Sequence, residues 1–244
     1  MPALSASDIL RIWEAGTGQD PVERALTILA VAFPGKPRDA WAALPVGRRD
    51  AELLALREAS FGPALETAAS CPRCGETVEF RLDAAELRAR QPPDAAATEG
   101  DLSLPAWSVR YRLPTTGDLA AAAVARDPED GRRALAARCI VEARHDDSAV
   151  AVEDVPPEAI ARMADAMAEQ DPLAEVLVDF ACPSCGERAQ TLLDVAAYFW
   201  EEIRAQALRL LHEVHVLARA YGWREADILA LSAVRRRAYL EMAG

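Results

Sequence analysis

Apolar positions recur every three to four residues through the first sixty or so positions and again from Asp194 onward; between these stretches the period shortens to two around a repeated cysteine turn. Residues 5–15 (SASDILRIWEA) and 21–33 (PVERALTILAVAF) read as two short helices, with Pro21 in a first turn and Pro34-Gly35 as a stop. The stretch 47–62 (GRRDAELLALREASFG) predicts a third, with Asp50 as N-cap, Leu53, Leu54 and Leu56 toward one side, and Gly62-Pro63 as its end.

The period-2 runs come in two pairs. ALETAAS precedes Cys71 and TVEFRL follows Cys74; EVLVDFA precedes Cys182 and RAQTLL follows Cys185. Each pair predicts a β-hairpin with the cysteine turn at its tip. DAAELRAR (83–90) then reads as a short helix begun by Asp83 and Glu86 at capping-box spacing, and QPPDAAATEG (91–100) as a loop or linker. WSVRYRLP alternates Val109, Tyr111 and Leu113 with Arg110 and Arg112, which predicts a half-buried strand. GDLAAAAVARD, PEDGRRALAARCIVEAR and PPEAIARMADAMAEQD read as helices, with the polar stretch HDDSAVAVED between the last two. One long helix should run from Asp194 to about Tyr221, placing Phe199, Ile203, Leu210, Val214 and Leu217 at helical spacings, and a last helix from about Glu225 to Met242 after a break at Gly222.

The two cysteine turns are copies of one unit. CPRCGETVEFRLDAAE aligns with CPSCGERAQTLLDVAA at an offset of 111, matching both cysteines, the proline, glycine and glutamate, Leu82 with Leu193, Asp83 with Asp194 and Ala85 with Ala196. One C-P-x-C-G unit offers two thiolates, whereas zinc in structural sites takes four ligands in a tetrahedron. Cys71, Cys74, Cys182 and Cys185 together complete such a set. The spacing therefore points to one structural Zn2+ that staples segments separated by 107 intervening residues, a closed site with no position for substrate. A redox pair is the competing reading, but a thioredoxin-like C-x-x-C precedes a helix in a βαβ setting, and these do not. Cys139, inside ALAARCIVEA, reads as a buried packing residue.

Composition narrows the function classes. The 244 residues are 51% hydrophobic, enough for a substantial core, and the formal net charge of −12 disfavours a nucleic-acid partner for the molecule as a whole. Lys36 is the only lysine. The N-terminal stretch has no signal-peptide pattern and no apolar run approaches the ~18 to 20 residues that span a bilayer, so no membrane association and a cytoplasmic, reducing location are expected. His212 and His215 stand three apart, which does not fit the zinc-protease helix, and His145 stands alone. No phosphate loop, nucleophile elbow or dinucleotide fingerprint is present, so no enzyme and no small-molecule substrate are expected. Arg235, Arg236 and Arg237 follow Ile228, Leu229, Leu231 and Val234, with Tyr239 and Leu240 beyond; the pattern suits a partner-binding helix better than a nucleic-acid stripe.

Taken together, ALPVGRRDAELLALREASFGP, CPRCGE, YRLPTTGDLAAA, CPSCGE and YGWREADILALSAVRRRAYLEM resemble the T4-type phage baseplate hub assembly family of phages and phage-tail-like contractile injection systems, from about residue 40 to the end. The resemblance implies a non-enzymatic protein that assists or caps assembly of the baseplate hub through hub or tail-tube proteins, located in the bacterial cytoplasm or in an assembled tail-like particle. It supplies no catalytic residues and carries over only the four-cysteine zinc site. A zinc-ribbon-like nucleic-acid-binding or transcription-associated module and a zinc or thiol enzyme are the rival readings.

The expected fold is α+β and predominantly helical, with two zinc-knuckle hairpins joined into one zinc-ribbon-like site. The expected organisation is a helical N-terminal region (1–63), the first knuckle and its helix (64–90), a linker, strand and helical insertion (91–172), the second knuckle (173–195) and a C-terminal helical hairpin (196–244).

Overall fold

In the computed structural model, which describes residues 3–92, 98–125, 127–146 and 148–243, the chain begins with four helices: α1 (Ala6–Gly16), α2 (Pro21–Ala32), α3 (Arg38–Ala42) and α4 (Val46–Phe61). Local chemistry sets their starts. Ser5 and Asp8 form a reciprocal capping box at α1, and the Asp20 carboxylate accepts the N–H groups of Val22 and Glu23 at α2. At α4 the expected cap is corrected. The helix begins at Val46, so Asp50 lies inside it, buried and ion-paired at 2.7 Å to Arg49, whose Nη1 donates to the Thr116 hydroxyl. Burial, opposed by Arg49, pushes the Asp50 carboxyl up to about 6. Gly62 ends α4 at φ +92°, a conformation that strains residues with a Cβ.

Strands β1 (Ala64–Ser70) and β2 (Thr77–Asp83) pair antiparallel, and α5 (Ala84–Arg88) follows directly, with the Asp83 carboxylate accepting the N–H groups of Ala85 and Glu86. Residues 93–97 of the expected linker lie outside the described residues, but its last two positions, Glu99 and Gly100, already belong to β3 (Glu99–Leu104), an unanticipated strand. A four-stranded antiparallel sheet in the order β3-β4-β5-β6 continues with β4 (Trp107–Arg112), β5 (Ile140–His145) and β6 (Ser148–Ala149). Between β4 and β5 run α6 (Thr116–Ala122) and α7 (Pro128–Cys139). Two helix expectations are thus corrected: the first ends at Ala122, short of Arg126, which lies outside the described residues, and IVEAR leaves the helix at Ile140 to pair with β4. His145, expected in a loop, ends β5 with its ring 4.7 Å from that of Trp107.

Helix α8 (Pro157–Gln170) covers β3 and β4, burying Ala159 and Met163 against Val109 and Tyr111. The second cysteine unit supplies β7 (Val176–Ala181) and β8 (Arg188–Leu193), and Asp194 caps the long helix α9 (Val195–Tyr221). The expected last helix is divided at Leu231-Ser232 into α10 (Glu225–Ala230) and α11 (Ala233–Ala243). The result is a mixed, mainly helical fold with small antiparallel sheets.

Helix α9 is the spine of the main core. Phe199, Ile203, Ala207 and Leu210 are buried among residues of α1, α2 and α4, while Leu65, Val176, Val178 and Leu193 bring both cysteine units into the same cluster. Burying a side chain of leucine or phenylalanine size contributes roughly 1.5–3 kcal/mol. Arg57 of α4 grips Glu202 of α9 with two hydrogen bonds of 2.8 and 2.5 Å, and burial plus this pairing holds α4 to the spine. Val109, Tyr111, Ile140, Ala143 and Met163 form a separate cluster under α8. The two clusters meet where Gly47 approaches Asp171: the Gly47 N–H donates to Oδ2 at 2.8 Å, and a Cβ at Gly47 would stand 2.3 Å from Oδ1.

Candidate metal centre

The duplicated sequence folds twice into the same turn. The Cys71 N–H donates to the Glu76 carbonyl at 2.8 Å and the Gly75 N–H to the Cys71 carbonyl at 2.9 Å; Cys182 with Glu187, and Gly186 with Cys182, repeat both bonds at the same lengths. Gly75 (φ +75°) and Gly186 (φ +72°) take the left-handed conformation that closes each turn. The strand registers also repeat at the offset of 111: Leu65 faces Leu82 as Val176 faces Leu193, and Ser70 faces Thr77 as Ala181 faces Arg188. The shared residues of the two copies thus translate into the same turn hydrogen bonds and the same strand register.

Those two turns meet tip to tip. The Sγ atoms of Cys71 and Cys185 are 3.6 Å apart, as are those of Cys74 and Cys182, and all four lie within 4.8 Å of one another. A tetrahedral ion with metal–sulfur distances of about 2.3 Å would hold its ligands roughly 3.8 Å apart, so the donor set fits one such ion. Four close cysteines could therefore bind a metal. In each unit the first cysteine is buried (Cys71, Cys182) and the second faces outward, Cys74 exposed and Cys185 half-buried. Phe80 and Phe180, equivalent neither by position nor by repeat, stack at 6.1 Å beside the buried pair with Val78.

Electrostatics at the cluster favour a cation. The backbone N–H of Cys74, helped by that of Arg73, lowers the Cys71 thiol to about 7. Cys74 and Cys185 move the other way: although the N–H groups of Glu76 and Glu187 pull them down, crowding by neighbouring thiols and burial push both up. One thiolate forms readily and the next ones meet its charge, a conflict that a divalent ion between the sulfurs removes.

The remaining candidates separate from this centre. Cys139 is buried and its thiol is raised to about 11 by burial first and the Asp118 charge second, the state of an inert packing residue. His212 and His215 are exposed on α9 and do not converge with other ligating groups. Among the described residues the four cysteines are the group of three or more ligating side chains able to hold an ion, and no helix is long and apolar enough to cross a membrane. The arginine run is broken up by packing: Arg236 is buried, donating to Glu213 at 2.8 Å and to the Leu231 carbonyl at 2.6 Å, while Arg237 pairs with Glu241.

One site was missed in the sequence. Asp118, 2% exposed at its side chain, binds Arg112 through 2.5 and 2.9 Å contacts and Arg138 at 2.8 Å, and accepts the Thr115 N–H and hydroxyl. Burial opposes its charge, but these donors outweigh it and hold the carboxyl well below the usual carboxylate range. It ties α6 and α7 to β4; the T-T-G-D capping-box spacing is the signal that could have found it.

Comparison with curated proteins and with solved structures yields no match. A family model described as "T4 bacteriophage base plate protein" matches residues 9–200, a stretch that runs from within α1 through both cysteine turns to the first turns of α9. With that match covering well over half of its length, the chain belongs to the T4 bacteriophage base plate protein family.

Proposed function

We propose that the protein is a zinc-stabilised, non-enzymatic structural component that assists or caps assembly of the baseplate hub of a phage or phage-tail-like contractile injection system. The observation that carries this reading is the family match over residues 9–200, which takes in both halves of the four-cysteine cluster. Cys71, Cys74, Cys182 and Cys185 hold one Zn2+, and the two units act as zinc knuckles joined into a ribbon-like site. Bound there, the ion supplies folding energy and no open coordination position. The chain's own part is to bring the donors together: the two glycine-closed turns aim them, and Leu65, Val176 and Leu193 seat both units on the main core.

The zinc staple serves docking by fixing the start of α9. Residues beyond 200 lie outside the matched stretch and carry α9 onward to α10 and α11. There Tyr221, Trp223 and Tyr239 cluster with ring separations of 4.7 to 5.8 Å, and α11 also exposes Val234 (80%) and Met242 (67%). Such an aromatic, partly exposed end suits contact with hub or tail-tube proteins. A nucleic-acid reading would need Arg235, Arg236 and Arg237 together on an open face, and Arg236 points inward. The five regions 1–63, 64–90, 91–172, 173–195 and 196–244 follow from this as a helical base, two knuckles, an inserted sheet unit and a docking end.

The test is co-expression with the hub and tail-tube proteins of the same phage or tail-like particle, followed by size-exclusion chromatography. Co-elution with one of them, lost when the chain is cut after Gly222, is the expected result. Failure to co-elute with any of them overturns the assembly role.

A further inference from the structure

We propose that the groove between α7 and α8 is a docking site for an amphipathic helix of a partner protein, one with basic residues flanking its apolar face. Both helices lie against the four-stranded sheet, yet a cavity of about 320 Å³ remains between them, lined by Leu135 and Cys139 on one wall and by Ile160, Met163 and Met167 on the other. The space between the walls is left unfilled because the side chains facing it there are small: Ala136 on α7, Ala161 and Ala164 on α8. A second cavity of about 720 Å³ joins the first at Arg133, Pro157 and Ile160 and runs toward the 3-10 turn at Val152–Asp154. An apolar trough of this kind, floored by methionine and branched aliphatics between two helices, is what a helix presenting an apolar stripe fills.

Charge selects the occupant. Asp130 and Glu153 line the second cavity from opposite sides, and Asp127, Glu129, Asp154 and Glu158 flank them on the adjoining first turns. Arg132, paired with Glu129, and Arg133 line the first cavity, and Arg133 is the cation that also lines the second, so the acidic excess lies at the second cavity's end. Over residues 91–172 eight arginines stand against sixteen carboxylates, so this unit carries −8 of the chain's net −12. A helix with lysine or arginine beside its apolar stripe gains from this field, and one with carboxylates there is repelled. The inference rests on the assembly reading only in taking the occupant to be a protein; it needs neither the zinc nor the C-terminal helices.

The experiment uses the full chain and two labelled synthetic peptides of about 18 residues, both with leucines along one helical face. One carries lysines at the flanks of that face and the other glutamates. Fluorescence anisotropy should show the lysine peptide binding at least about tenfold more tightly than the glutamate peptide. Ile160→Glu should weaken it by at least about tenfold, and Asp130→Lys with Glu153→Lys should reverse the preference. The two carboxylates are exposed, so the charge reversal reports even if Ile160→Glu fails to fold. Absence of binding, equal binding of the two peptides, or a preference unchanged by the charge reversal overturns the proposal. So does a concentration-dependent dimer of the wild type that Ile160→Glu abolishes, since a second copy would then own the groove. Loss of hub co-elution on cutting after Gly222 leaves each of these outcomes unaffected.

Discussion

Replacing Gly16 by alanine tests the packing that holds the N-terminal helices to α9. A Cβ at Gly16 would stand 2.3 Å from Cζ3 and 2.6 Å from Cη2 of Trp200, whereas unstrained carbon contacts lie at about 3.5–4.0 Å. The indole would have to retreat by about 1 Å or more, and it has nowhere to go: it is 3% exposed, inside the main core, with the Arg24 guanidinium 4.6 Å from its ring centre. Overpacking of this kind costs about 1–3 kcal/mol, against a helix-propensity gain of at most about 1 kcal/mol for a residue in the last turn of α1. The expected net loss is about 1–2 kcal/mol, which at this chain length lowers Tm by roughly 4 °C. Urea denaturation followed by far-UV circular dichroism measures it on metal-saturated protein. Trp200→Leu should relieve the clash, so that the double variant is more stable than additivity predicts by about 1 kcal/mol. A Gly16→Ala protein as stable as wild type, or losses that simply add, would refute the close approach.

Two further outcomes follow from the buried polar contacts. Arg236→Ala should release α11 and hasten its cleavage by limited proteolysis, since the buried arginine leaves both Glu213 and the Leu231 carbonyl unpaired, whereas Arg235→Ala should change nothing measurable. Asp118→Asn should destabilise by about 2 kcal/mol at pH 7. Because the Asp118 carboxyl is held below its unfolded value, its contribution is present above about pH 4 and is lost as pH falls further; the gap between wild type and variant should therefore narrow from pH 5 to pH 3 in parallel urea titrations. Any metal loss on acidification is common to both proteins and drops out of the difference.

Where the local rules and the tertiary contacts agreed, the chain was legible. Both cysteine units, their strands and the caps Asp83 and Asp194 follow from residue chemistry within a few positions of each, and the repeat made the pairing of the four cysteines readable across 107 residues. Elements decided at a distance were not. Ile140 and Val141 continue a helical run without a glycine or proline, and only pairing with β4 turns them into strand. The linker reading of 91–100 took in the first two residues of β3, and the strand shows itself only where Leu102 and Leu104 pack against the second cluster. Asp50 has the chemistry of an N-cap, but its ion pair with Arg49, which in turn donates to Thr116 67 residues further along, sits in the interior. The Leu231-Ser232 break did carry a signal, since the Ser232 hydroxyl accepts the Arg235 N–H as a cap; the unbroken apolar pattern around it concealed that role.

The most direct measurement of the central claim is the metal content of the purified chain, with and without its second cysteine unit intact. Elemental analysis should find one zinc per chain, and removal of that ion by a strong chelator should unfold the protein, because structural zinc sites bind with apparent free energies of about 10–16 kcal/mol that are also folding energy. Cys182→Ser, which breaks the set at a buried ligand, should lose the ion and most of the cooperative unfolding transition. A wild-type chain that holds no zinc, or a Cys182→Ser chain as stable as wild type, would contradict the account.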